Sequence, residues 1–393
     1  MDELYRSKFL VVRPVPGLDL KRWVVTSDNH SIGAGFDRPG FSEEFLRREG
    51  ISAVHVLGRG NDWYQYPGVN KALGAVVDGT AGAVRRVAYG SSMGGYAALR
   101  LGVRAGADAA LALSPQWTIN PARVPWEQRW ASDAARIGWL DAVDGRRIKR
   151  LKQAVVAYDP KGDDRRHVDA LAEETPVTRL AIDHAGHPVS TFLAESGLLR
   201  PLLVSVLYDA FDAAAFEREA RARRGECVSY MAELSNRQPP HRARLALALS
   251  RRALAIRPGD VVALTTLGRR LSAAGEHEEA LRTLDRAVAA SRGDIGCTVP
   301  YAEALANAGR LDGAIAVARD VADAHPERGH LRHWLGWLQW RDGREQDALD
   351  SQTLAVRLDP GNPLFADKLA DYRRRAEAPA PPHGAEKPLD ATE

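Results

Sequence analysis

The chain has 393 residues, 45% hydrophobic and 27% charged, an ordinary globular composition in a length that calls for two domains. Its 54 basic and 51 acidic side chains leave a formal charge of +3. The arginine tract at 218–224 stands among alanine and glutamate without interleaved aromatics, so no nucleic-acid footprint is expected. No stretch approaches the roughly 20 apolar residues of a membrane span, the N-terminal segment lacks a signal-peptide pattern, and two cysteines without CxxC or Cys/His spacing support neither a disulfide framework nor a zinc site. The expectation is a cytoplasmic protein with no membrane segment, no cofactor and no metal.

In chain order, short runs rich in β-branched residues alternate with helical stretches over the first 210 residues: 23–26, 53–57, 84–89, 109–113, 154–158 and 177–182. An earlier run at 9–12 adds an edge strand. The runs are almost continuously apolar, the pattern of a parallel sheet covered by helices on both faces, so this half is read as α/β. Between the fourth and fifth of the six main runs, residues 115–150 hold Trp117, Trp126, Trp130 and Trp139 and are read as a short tryptophan-rich cap. A helical linker is expected over 211–240.

Beyond it, strand signals vanish and alanine, leucine, arginine and glutamate recur at helical spacing to residue 377. Three ungapped 34-residue blocks follow one another, 261–294, 295–328 and 329–362. Position 8 is Gly268, Ala302 and Gly336, where a small residue lets two helices approach. Position 15 is Gly275, Gly309 and Gly343, the turn between them, and position 20 is Ala280, Ala314 and Ala348. Pro326 and Pro360 stop the second helix of their blocks. This pattern resembles the tetratricopeptide repeat, with a partial unit reaching back to about His241. The second block departs from it, with Thr298 where Trp is usual, Val321 where Ala is usual, and Pro300 inside the expected first helix, which predicts that this helix begins late. The resemblance implies an all-α solenoid over 241–377 whose groove receives a protein partner. Residues 378–393, mixing Pro, Ala and charge, are expected to be a disordered tail.

The chemistry lies in the first half. Gly90-Ser91-Ser92-Met93-Gly94 fits G-x-S-x-G directly after the run 84–89 and before an apolar helix, the strand–turn–helix setting in which a tight turn exposes a serine. Glycines at 90 and 94 clear the turn, and the helix N-terminus offers free N–H groups, that of Met93 first. No G-x-G-x-x-G and no Walker lysine stands here, which argues against a phosphate cradle. Serine needs a base. His187, in the loop after the run 177–182 and beside the flexible Gly186, is the candidate, with His184 as its competitor and His167 placed in a structural helix. The acid is expected after the run 154–158, where Asp159 follows at once and Asp163 and Asp164 within a turn. Asp159 is preferred and Asp164 is the alternative.

The order Ser92, Asp159, His187 and the strand sequence resemble the α/β-hydrolase superfamily over roughly residues 8–210. The resemblance implies acyl transfer through a covalent Ser92 ester, and a second oxyanion donor from the loop 28–30 after the run 23–26, for which Asn29 is the nominee in place of an HGGG motif. Asn61, Trp63 and Trp117 are expected to shape the substrate pocket. The functional expectation is a serine esterase acting on an ester substrate, glycan-linked esters included, with an acyltransferase to a sugar hydroxyl as the enzymatic alternative. A non-catalytic interaction scaffold carried by the repeats is the alternative of a different class.

Overall fold

The computed structural model describes residues 3–30 and 35–377. They divide into two compact units, Met1–Arg237 and Gln238–Glu393. The expected tail at 378–393 lies outside the described residues.

The first unit is built on an eight-stranded sheet of order β1-β2-β4-β3-β5-β6-β7-β8. Its strands are β1 (Tyr5–Arg6), β2 (Leu10–Val15), β3 (Arg22–Ser27), β4 (Ser52–Gly58), β5 (Arg85–Ser91), β6 (Ala109–Leu113), β7 (Gln153–Tyr158) and β8 (Thr178–Ala181). β2 pairs antiparallel with both β1 and β4, and every other pairing is parallel. Each apolar run read from the sequence lies on one of these strands. Successive side chains of a strand point to opposite faces, and both faces are dry. Val24, Val87, Leu111 and Val155 join one buried cluster. Their neighbours Val25, Ala88, Ala110 and Val156 belong to clusters with different helices. The helices are α1 (Glu43–Arg48), α2 (Val69–Gly79), α3 (Met93–Leu101), α4 (Ala131–Arg136), α5 (Asp164–Glu174), α6 (Ser190–Glu195), α7 (Leu199–Leu207), α8 (Ala213–Arg223) and α9 (Val228–Asn236). Leu46 of α1 and side chains of α6 to α9 cover the first face, and α2, α3 and α5 supply the second. Because β3 to β8 run in one direction, the loops that follow them all leave from one edge.

The boundary expected at residue 210 falls too early. Phe216 and Ala220 of α8, Cys227, and Tyr230 of α9 are buried in the same cluster as Phe192, Leu203 and Val206, so the presumed linker is two helices of the first unit's core. The alanine- and arginine-rich surface of α8 imitates the repeats in composition, and packing on the sheet side places α8 and α9 in the first unit.

Among its described residues the second unit is helical: α10 (Ala243–Ile256), α11 (Val261–Ala273), α12 (His277–Ser291), α13 (Ile295–Asn307), α14 (Leu311–Ala324), α15 (Gly329–Arg341), α16 (Glu345–Leu358) and α17 (Pro363–Glu377). The first helices of the three blocks start at 261, 295 and 329, one period apart. Gly275, Gly309 and Gly343 have φ of 79°, 75° and 77°, left-handed values that glycine adopts without a Cβ clash. A Cβ on Gly268 would stand 2.3 Å from Leu284 Cγ, and Ala280, Ala314 and Ala348 are fully buried, so the small residues mark close helix contacts. A ladder of ion pairs shares the period: Arg310 reaches back to Glu278 and Arg344 to Asp312.

The delayed start expected for the second block does not occur, since α13 begins at Ile295 with Pro300 inside it. Asp294 accounts for this. Its carboxylate accepts Gly296 N–H at 2.8 Å, and its carbonyl accepts Cys297 and Thr298 N–H at 3.0 Å each. The first turn is thus closed before the proline, which forfeits one later bond.

Candidate active site

β5 hands the chain to α3 through Ser92, whose φ of 53° and ψ of −116° are a costly backbone conformation for an L-residue. It is held from both sides, because Ser92 N–H donates to Leu113 O at 2.8 Å and Ser92 O accepts Tyr96 N–H at 3.0 Å. The flanking glycines are required by space. A Cβ on Gly90 would lie 2.3 Å from the backbone of Gly94, and one on Gly94 would lie 2.4 Å from Ser27 O. The turn therefore presses the start of α3 against the end of β3, where the loop 28–30 begins.

His187, on the loop after β8, places Nε2 3.1 Å from Ser92 Oγ and Nδ1 2.8 Å from Asp164 Oδ2. With a carboxylate on one side, Nδ1 carries the proton and donates it to Asp164. Nε2 is then left to accept from the serine hydroxyl. The carboxylate on His187 is thus Asp164 and not Asp159. Asp159, next to the end of β7, is buried with both oxygens turned into the backbone. It accepts N–H groups from Lys161 at 2.9 Å, His184 at 3.2 Å and Gly186 at 2.9 Å, and pairs with Arg237 Nη2 at 3.0 Å. Its place is to hold the His187 loop. Asp164 opens α5 five residues later, which is the reach a side chain needs to meet an imidazole leaving the neighbouring strand. His184 sets its ring against Tyr230, 6.1 Å between centroids. His167 is buried between Trp117 N, 3.2 Å from Nδ1, and Glu127 Oε2, 2.8 Å from Nε2.

Charge around Asp164 is organised by the cap. Arg129 Nη1 donates to Asp164 Oδ1 at 2.8 Å, while its Nη2 donates to Glu127 at 2.7 Å. Burial pushes the Asp164 carboxyl up, but the His187 hydrogen bond and the His187 and Arg129 charges outweigh it, so its pKa lies below the ordinary value. Burial opposes ionisation of Glu127 as well, yet the His167 and Arg129 bonds bring it down to about 2. Burial also lowers the His167 pKa. Trp130 packs its ring edge-on to His187, 5.3 Å between centroids, and Arg129 lies over the Trp130 face at 4.4 Å.

The loop nominated for the second oxyanion donor is pinned by Asp28. Its carboxylate takes two bonds of 2.9 Å from Arg38 and one of 2.7 Å from Gly58 N–H, and its own N–H donates to Tyr64 Oη at 2.6 Å. Asn29 follows on this loop and is exposed. Met93 stands at the first helical position of α3, where an N–H has no partner within the helix.

Of the expected pocket residues, Trp63 stands one contact behind the site, against Gln116 and Trp130. Trp63 is fully buried and spends its indole N–H on Gln116 Oε1 at 3.2 Å. Trp117 donates its indole N–H to Glu174, with Arg123 stacked on its face at 4.0 Å. Asn61 is half-buried in the turn before Trp63. The polar-aromatic segment 61–67 is a strut of the core rather than a pocket rim: Tyr64 Oη donates to Val56 O and Gln65 Nε2 to Tyr96 Oη. Sequence reasoning missed Gln116, fully buried, whose Nε2 lies 3.1 Å from Ser92 Oγ. It also missed Arg129 and Trp130. The available signal was position alone, since Gln116 follows β6 at the edge where Ser92 follows β5.

Residues 241–296 match the tetratricopeptide repeat family. The helical unit carries tetratricopeptide repeats. Similar solved structures include YrrB, described as a TPR protein with an unusual peptide-binding site, at 21% identity over 45% of this chain and 89% of that one, with a TM-score of 0.33. Another is TTC0263, a thermophilic TPR protein of Thermus thermophilus, at 19% identity over 47% and 99%, with a TM-score of 0.37. No curated protein matches the chain. Among the described residues no helix is long and apolar enough to cross a membrane.

Proposed function

We propose that the first unit is a serine hydrolase of the α/β-hydrolase type, an esterase acting through Ser92, His187 and Asp164, and that the repeats recruit a protein partner. The observation that carries this reading is the continuous chain of hydrogen bonds from Ser92 Oγ through His187 to Asp164. The strand order with β2 alone reversed supports it too, as does the strained serine between a strand and a helix.

In this mechanism Ser92 Oγ attacks the ester carbonyl carbon while its proton passes to His187 Nε2. Asp164 holds the imidazole in the accepting tautomer and stabilises the imidazolium. The carbonyl oxygen becomes an oxyanion facing Met93 N–H and the 28–30 loop, and collapse expels the alcohol with the proton from His187. Water then repeats the sequence on the acyl-enzyme. The repeats stack helices into a shared core and expose a concave surface, the physical basis on which such arrays mediate protein interaction.

Fluorophosphonate labelling and nitrophenyl ester turnover of wild type, Ser92→Ala and His187→Ala test the enzyme reading. Labelling and turnover in wild type, lost in both variants, are expected. A wild-type protein that neither labels nor turns over beside an active control esterase overturns it and leaves the repeats as the functional part.

A further inference from the structure

The segment after β6 is bonded to both the serine turn and the His187 loop. Leu113 O accepts Ser92 N–H at 2.8 Å, and Ser114, with φ of 45°, accepts Val189 N–H on its hydroxyl at 3.0 Å, two residues past His187. Pro115 packs where a Cβ on Gly95 would fall, 3.1 Å away. Gln116 ends this strap with no exposed surface. Its amide orientation is decided by its partners. Trp63 Nε1 is a donor only, so the atom 3.2 Å from it is the amide oxygen, and the NH2 group must face Ser92 Oγ at 3.1 Å. Two groups therefore converge on the serine oxygen, His187 Nε2 as acceptor of its proton and Gln116 Nε2 as donor to its lone pair.

We propose that Gln116 is a catalytic residue that stabilises negative charge on Ser92 Oγ, with Trp63 as the positioning residue that fixes its amide. This rests on the hydrolase reading above. When the acyl-enzyme forms, Oγ becomes an ester oxygen and a poor acceptor, so the bond to Gln116 weakens. In deacylation, water gives a proton to His187 and its oxygen bonds the acyl carbon. The C–Oγ bond then breaks with its electron pair moving to Oγ, and His187 returns the proton there. A donor that binds alkoxide-like Oγ better than ester Oγ speeds this departure. The role is distinct from an oxyanion hole, because the charge it meets is on the nucleophile and not on the carbonyl oxygen.

Pre-steady-state turnover of nitrophenyl acetate separates the two steps, since nitrophenol release reports acylation and the steady state reports deacylation. For Gln116→Leu, deacylation is expected to slow about ten- to a hundredfold, the loss of one hydrogen bond to developing charge, with a burst that persists. Trp63→Phe, which frees the amide to turn, is expected to slow it in the same direction by a smaller factor, and to add little to Gln116→Leu. Gln116→Glu is expected to deacylate more slowly than wild type, and increasingly so as pH rises, because ionisation replaces the donor with a negative charge. That profile keeps the test decisive if Gln116→Leu fails to fold. A wild-type burst with unchanged deacylation in Gln116→Glu at every pH overturns the role of Gln116 and leaves the hydrolase reading standing. Turnover without a burst overturns the deacylation role alone, since departure of Oγ is then not the slow step, and absence of turnover in wild type overturns both.

Discussion

The two units bury polar groups in opposite ways. In the repeats the fully buried side chains are mostly alanine and leucine, and buried polar residues such as Thr266, Thr283 and Gln352 are neutral. Ionic contacts there run along the exposed ladder of Arg310–Glu278 and Arg344–Asp312, where such pairs contribute little. In the α/β unit, Asp28, Glu127, Asp144, Asp159, Asp164 and His167 are all buried. All of them lie in the segments that leave one edge of the sheet after β3, β6 and β7. A buried charge is tolerated only where partners surround it, and concentrating so many at one edge is the physical mark of a site. The repeat unit distributes stability evenly over a local pattern, while the α/β unit holds a costly constellation in place with long-range packing.

The sharpest way to break this contrast is to remove the reacting groups. Ser92→Ala and His187→Ala are expected to lower ester turnover about a thousandfold or more, with melting of both units unchanged. Asp164→Asn is expected to lower turnover about a hundred- to ten-thousandfold through loss of the correct tautomer, measured on the same ester. Asp159→Ala is expected to act on the fold instead, costing about 2–4 kcal/mol as three N–H groups and Arg237 lose their acceptor, read by chemical denaturation of the first unit. If Asp159→Ala abolishes turnover in a protein of wild-type stability, the division of labour between the two aspartates is wrong. Gly268→Val is expected to cost about 1–3 kcal/mol by overpacking against Leu284, confined to the repeat transition.

The smallest effect sharpens the comparison through pH. Glu127 and Asp164 have folded pKa values below the ordinary carboxylate range, so their contribution is present above the unfolded pKa. It is lost as pH falls through the folded values, near 2 for Glu127. Glu303 in the repeats is exposed, yet desolvation by the helices beside it raises its pKa, a weak effect of the opposite sign that favours the protonated form and is lost as pH rises. Glu303→Gln is accordingly expected to raise the neutral-pH melting midpoint of the repeats and to change it little at pH 4. No equivalent gain is expected from Glu127→Gln, which should destabilise the first unit at neutral pH.

Much of this was legible in the order of residues. The seven apolar runs lie on strands because buried parallel strands leave almost no polar residue in them, and Gly275, Gly309 and Gly343 mark turns because only glycine takes their backbone without strain. Ser92 and His187 announced themselves by local context. Asp159 and Asp164 did not, because both are aspartates in a turn after the same strand, and neither periodicity nor spacing says which oxygen faces an imidazole from another loop. Gln116 was hidden for a related reason, as a lone glutamine after a strand has no pattern of its own. Helix α8 reads as linker because its composition is that of the repeats, and only packing shows which core α8 and α9 enter.

Alternating strands and helices, a strained serine turn and a 34-residue period are local properties, written in hydrophobic spacing and in glycines where a Cβ has no room. The partners of Ser92, His187 and Asp164 are not local, since Gln116 and Arg129 come from the segment after β6, and Trp63, which holds Gln116, comes from the loop after β4. Those loops meet only after parallel strands have brought their ends to one edge, and burial there makes their polar atoms bond to one another.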